Sequence, residues 1–148
     1  MIIEFIAVTV EDAVLIEKSG ADRIELVSGL TEGGITPSYG LIEKVVNSVT
    51  IPVNVMVRPH GQSFCYSDDD FTIMKNDIRM IRSLGANGVV FGMLDQKGDV
   101  DYRRLEGLLT EIGTMEVTFH RAIDSSNKII EAAQQLDQYK EITSILTS

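Results

Sequence analysis

Residues 52–60 read "PVNVMVRPH", and the alternation inside this stretch decides the fold. Successive side chains of a strand point to opposite sides. Val53, Val55 and Val57 therefore share one face, and Asn54, Met56 and Arg58 the other. One apolar face under helices and one mixed face toward an interior suit a barrel strand. A doubly wound nucleotide binder would also carry a glycine-rich loop after its first strand. Residues 8–13 read "VTVEDA" at that place, with no glycine.

Working outward, strand and helix patterns alternate along the whole chain. Strands are predicted over Ile2–Val8, Arg23–Val27, Pro52–Arg58, Gly88–Leu94, Glu116–Phe119 and the closing "EITSILTS". Between them lie helical stripes: Val10, Ala13 and Val14; Leu41, Ile42, Val45, Val46 and Val49 after Pro37; Phe71, Met74, Ile78 and Ile81. Leu105, Leu108, Leu109 and Ile112, then Ile129, Ala133 and Leu136, complete the series. Ser67 and Asp70 in "SDDD" read as a helix cap. "KSGADRIEL" and "RSLGANGVVF" build the same helix–Gly–strand joint twice. Alternating strands and helices with short joints imply a parallel sheet with right-handed crossovers. The expected class is α/β, a (β/α)8 TIM-type barrel truncated here to about six strands. A full barrel has eight strands and about 250 residues. Residues 1–148 are thus expected to form a single incomplete barrel domain, with two open edges.

Composition narrows the function. A net charge of −9 argues against nucleic acid and anionic membrane surfaces as partners. Cys65 is the lone cysteine, so no intrachain disulfide forms. No apolar run approaches the ~18 residues of a membrane span, and the first residues lack a basic region. A soluble cytoplasmic protein is the expectation, with homo-oligomerisation left open.

In a barrel the C-terminal strand ends converge on one mouth. Glu25, Arg58 and His120 fall there and are the candidate catalytic residues. Glu4, Gly33, Gly34 and Arg121 are the candidate substrate-binding residues. "VTFHRAID" at 117–124 brings an imidazole, a guanidinium and a carboxylate to one strand end. Gly33-Gly34 allow close backbone approach, and the helix after Pro37 could face an anion. Each residue also has a plainer reading. Glu4 could pair with Arg23 or Arg58 inside the barrel, Asp124 could cap a turn, His60 could sit solvated in its loop, and Cys65 could be inert.

Together, "GADRIEL", "EGGITPS", "IPVNVMVRPHGQSFCYSDDD", "VTFHRAID" and the terminal "LTS" resemble the copper homeostasis protein CutC family over essentially the whole chain. The resemblance implies a (β/α)8 barrel, a cytoplasmic location and a link to copper tolerance. It also implies that the family's last two β/α units lie beyond this chain. Copper as a bound partner follows from the resemblance only, and the cofactor is otherwise unknown. The family's copper-associated cysteines match Ile6 and Val27, which cannot ligate a metal, so no metal ligands are assigned. Glu4, Glu25, Arg58, His120 and Arg121 match the family's polar strand ends. Three functions remain open: copper handling, an enzyme on a small anionic carboxylate or phosphate metabolite, or an inactive barrel fragment.

Overall fold

A computed structural model describes residues 1–148. Six strands form one parallel sheet in sequential order: β1 (Glu4–Ala7), β2 (Arg23–Leu26), β3 (Val53–Met56), β4 (Gly88–Phe91), β5 (Glu116–Phe119) and β6 (Ile142–Ile145). Helices α1 (Val10–Lys18), α2 (Tyr39–Val46), α3 (Asp68–Ser83), α4 (Tyr102–Leu109) and α5 (Ile129–Leu136) fill the crossovers. The sheet curls into a half-barrel. β1 and β6 are its two edges.

Local chemistry sets the helix starts. Thr9 and Asp12 close a capping box on α1, and Ser67 and Asp70 do the same on α3. The helix expected from Pro37 begins two residues later, at Tyr39. Ser38 stays extended and its hydroxyl accepts the Leu41 N–H, which makes it the cap.

The alternation of residues 52–60 governs the packing. Val53, Val55 and Val57 join Ile24, Leu26, Val89, Phe91, Val117 and Phe119 in one core with helix residues Ile42, Ile78, Ile81, Leu105 and Leu108. Helices thus cover one face of the sheet. On the inner face Val27, Met56 and Val90 form a small separate cluster. The edge at β1 is different. Phe5 and Ile6 remain 54% and 49% exposed, and of α1 only Ala13 is buried. The stripe predicted for the last helix is also shifted: Ala132 and Leu136 are buried, while Ile129 is exposed.

Candidate functional site

The parallel register carries the inner-face residues toward a common mouth. Glu25 lies beside Asn54, Met56 beside Val90, and Val90 beside Thr118. Arg58 follows two residues after β3. There the ladder passes to a loop: the Arg58 N–H donates to Thr36 Oγ1 at 2.9 Å, and its carbonyl accepts the Thr36 N–H at 3.0 Å. His120 extends β5 by one residue, its N–H donating to the Phe91 carbonyl at 3.0 Å. Glu25, Arg58, His120, Gly33, Arg121, Met56 and Phe64 line one cavity of about 410 Å³. A second depression, about 350 Å³, lies over α4 and α5, where Lys128 and Glu131 pair with each other.

Arg58 is 6% exposed. Its Nη1 donates to the carbonyls of Glu32 at 2.8 Å and Gly34 at 3.2 Å, and its Nη2 to that of Gly61 at 3.3 Å. All three acceptors are neutral. A guanidinium has five N–H donors, so one on Nε and one on Nη2 stay free, and Nε is buried without a partner. The ring of Phe64 lies 4.8 Å below the guanidinium carbon. The glycine loop makes this possible. At Gly33, φ is +82°, and a Cβ would sit 3.1 Å from Arg58 Nη1.

His120 is buried and also packs against Phe64, with ring centroids 5.1 Å apart. Its Nδ1 accepts the Ala122 N–H at 3.2 Å, which assigns the proton to Nε2. Nε2 is buried with no partner. Burial, reinforced by the Arg58 charge, pushes the imidazole pKa down to about 3. His120 is therefore a neutral donor at physiological pH. Its position depends on Gly92, where a Cβ would fall 2.6 Å from His120 Nδ1.

Glu25 is buried and no hydrogen bond reaches its carboxyl from the protein. Burial raises its pKa to about 7; the carboxylate of Glu4 adds to the rise and Arg23 opposes it. Its proton is thus exchangeable near neutrality, which suits acid–base work.

The remaining sequence candidates divide. Gly33 lines the cavity. The Gly34 carbonyl holds Arg58 instead. Arg121 sits on the rim, largely exposed, with Nε 3.4 Å from Asp124 Oδ2. Glu4 does not reach the cavity: it pairs with Arg23 at the opposite end of the strands, where β1 and β2 begin. That corrects its grouping with the mouth residues, because a buried carboxylate goes where its counter-ion is. His60 pairs with Asp70 at 3.3 Å at the start of α3 and lies outside the cavity. Asp124 accepts from Thr147 Oγ1 at 2.6 Å and from the Ser148 N–H at 3.1 Å. Phe64 was missed. It lies in an aperiodic loop, and the one available signal was an aromatic six residues past a strand-end arginine. Gly92 was missed because its need arises from contact with a side chain 28 positions away. No group of three or more His, Cys, Asp or Glu side chains converges to hold a metal ion.

Known proteins agree on the fold. A family description, CutC family, matches residues 1–148. A protein named CutC from Yersinia enterocolitica is 48% identical over 146 residues, covering 99% of this chain and 57% of that protein. The chain thus spans little more than half the length of that relative. The structure of a Streptococcus agalactiae CutC, named for copper homeostasis, superposes with a TM-score of 0.89 at 33% identity, covering 99% of this chain and 72% of that one. Phosphonopyruvate hydrolase, solved with oxalate and Mg²⁺, shares the fold alone: TM-score 0.65 and 13% identity, over 100% of this chain and 58% of that chain. The chain belongs to the CutC family.

Proposed function

We propose that the mouth binds a small anionic metabolite, a carboxylate or a phosphate, and moves a proton on it through Glu25. The observation that carries this reading is Arg58: a buried guanidinium held by three neutral carbonyls, near the neutral Tyr66 hydroxyl, with no carboxylate paired to it. A buried charge without a counter-ion is costly unless a ligand supplies one. Neighbouring free donors on Nε and Nη2 match the two oxygens of a carboxylate or phosphate. His120, which lines the same cavity, carries a further unpartnered donor, Nε2–H. Arg121 at the rim adds positive charge. Isothermal titration with oxalate and with inorganic phosphate tests the reading. Saturable binding that falls about 100-fold or more in Arg58→Met is expected. No binding of either anion to the wild-type chain overturns it.

A second reading follows from the name of the Streptococcus agalactiae relative, which points to copper homeostasis. Cuprous ion takes thiolate or thioether ligands. Along the cavity the sulfur donors reduce to Met56, since Ile6 stands at one family cysteine position and buried Val27 at the other. Arg58 in the same cavity opposes a cation. The residues present do not fit copper. A competition assay should find no tight stoichiometric Cu(I) on the chain; one copper per chain, lost in Cys65→Ser, would falsify this.

The site is proposed to work in the cytoplasm, in keeping with a single cysteine and no possible intrachain disulfide. No helix is long and apolar enough to cross a membrane. Self-association through the exposed Ile3, Phe5 and Ile6 of the β1 edge is a further proposal. Light scattering that shows a monomer at all concentrations rejects it.

A further inference from the structure

Beyond binding an anion, the cavity carries an uneven set of unpartnered groups. Two are N–H donors without acceptors, His120 Nε2 and Arg58 Nε. The third is the carboxyl of Glu25, which no protein donor reaches. An inert dianion would satisfy the donors and be repelled by Glu25. A ligand that suits all three presents oxygens to the donors and an acidic hydrogen to the carboxylate.

The proton inventory narrows the chemistry. His120 is locked as a neutral donor by the Ala122 N–H, and burial keeps it from titrating near neutrality. Arg58 does not release a proton. Glu25 is then the one buried group in the cavity that can take up and return a proton around pH 7. No buried nucleophile accompanies it: Ser125 is exposed on the rim, and Cys65 does not line the cavity. A single base facing fixed neutral and cationic donors matches charge that develops on an oxygen while a carbon loses its proton.

Resting on the anion reading above, we infer that the cavity catalyses proton abstraction from the carbon next to the carbonyl of a small 2-oxo acid. Arg58 holds the carboxylate, Glu25 takes the proton, and His120 Nε2–H receives the developing oxyanion. In the forward step the C–H bond breaks and an O–H bond forms on Glu25. The C–H electron pair becomes the C=C bond of an enolate as the carbonyl pair moves onto oxygen. Return of the proton to carbon regenerates the oxo acid or its isomer. No oxidant, reductant or co-reactant is consumed. Phe64 takes the role of a positioning residue, since it packs against both Arg58 and His120.

Pyruvate in deuterated buffer tests the step. Its methyl proton signal is followed by NMR with the whole chain, and oxalate binding is measured in parallel. Exchange at least about tenfold above that of Glu25→Gln is expected, rising with pH through a midpoint near 7. Glu25→Gln should still bind oxalate, which shows that it folds, and Glu25→Asp should retain partial exchange. His120→Gln should still melt cooperatively while exchange falls about tenfold or more. Oxalate binding without exchange of pyruvate or of 2-oxobutyrate overturns this inference and leaves the anion reading standing. Absence of both oxalate and phosphate binding overturns the two together.

Discussion

At the N-terminal end of the sheet's inner face, Arg23 sits between Glu4 and Glu116, bonded to the first and 3.7 Å from the second. Asn87 beside them donates to Asn54 Oδ1 at 3.0 Å. At the C-terminal end, Arg58 has only carbonyls, His120 has an idle Nε2 and Glu25 has no donor. Both ends place carboxylate and guanidinium groups on the same inner face, half-buried at the first and buried at the second. One end neutralises its charges internally, and the other leaves them open to a cavity. Polarity on a barrel's inner face is therefore no guide to function by itself. What separates scaffold from site is whether the charges have already found each other.

The sharpest way to break this contrast is to remove each arginine in turn. Arg58→Met should lower oxalate affinity by about 1,000-fold, or about 4 kcal/mol, in line with loss of a buried charge-assisted pair. The variant should still melt cooperatively, although its 29–34 loop loses an anchor. Arg23→Met should do the reverse. It leaves Glu4 without its partner and costs stability, by about 2 kcal/mol for a half-buried pair, with oxalate affinity unchanged. Chemical denaturation and titration calorimetry on both variants check the crossing. Equal effects on both quantities would erase the distinction between the two ends.

The second test uses pH. Glu25 has a folded pKa of about 7, above its ordinary value of 4.5. The folded state therefore binds its proton more tightly than the unfolded state. That stabilisation is fully present below pH 4.5 and is lost as pH rises through 7. Glu25→Gln should thus match wild type near pH 4 and exceed it at pH 8 by about 3 kcal/mol, from 1.36 kcal/mol per unit. Denaturant midpoints at the two pH values decide. His120 contributes with opposite sign: its lowered pKa adds stability above pH 6.5 that is lost on acidification toward 3.

The barrel strands were legible because alternation is a backbone property. "PVNVMVRPH" put three valines under helices and aimed Met56 and Arg58 into the cavity, with Asn54 on the same face, bonded to Asn87. Capping at Ser67 was equally local. Two things were not local. The destination of Glu4 depended on which arginine lay opposite it in the register, and Arg23 does. The tautomer and burial of His120 depended on Gly92, Phe64 and the turn at Ala122. Parity selects a face of a strand. It does not select a partner on the neighbouring strand or the loop that closes over it.

Gly92 offers a smaller probe of the open end. In Gly92→Ala the new methyl would meet His120 Nδ1 at 2.6 Å and the Ala122 Cβ at 3.1 Å. The ring must swing away and break its bond from the Ala122 N–H. A loss of about 2 kcal/mol in stability is expected, typical of an added methyl in a packed site. Pyruvate exchange should fall with it, while Gly85→Ala, where a Cβ meets nothing within 4 Å, should leave exchange intact despite its positive φ. Unchanged exchange in Gly92→Ala would mean that the ring orientation is immaterial.

The smallest expected effect separates the two ends most finely. Thr118 lies on the inner face of β5, beside Val90 and two residues before His120. It is buried, and its hydroxyl has no protein partner. It does not line the cavity. If Thr118 belongs to the scaffold, its orphaned hydroxyl is a burden, because an unpaired buried hydroxyl costs about 1 kcal/mol or more. Thr118→Val removes that cost at nearly the same shape. Stability should then rise by about 1 kcal/mol, with oxalate affinity unchanged. If the hydroxyl instead extends the open end by holding a ligand oxygen, directly or through water, affinity should fall several-fold and the stability gain should vanish in oxalate-saturated protein. Thermal melts of Thr118→Val with and without oxalate separate the outcomes. The first draws the boundary of the site above Thr118; the second moves it one layer deeper into the barrel.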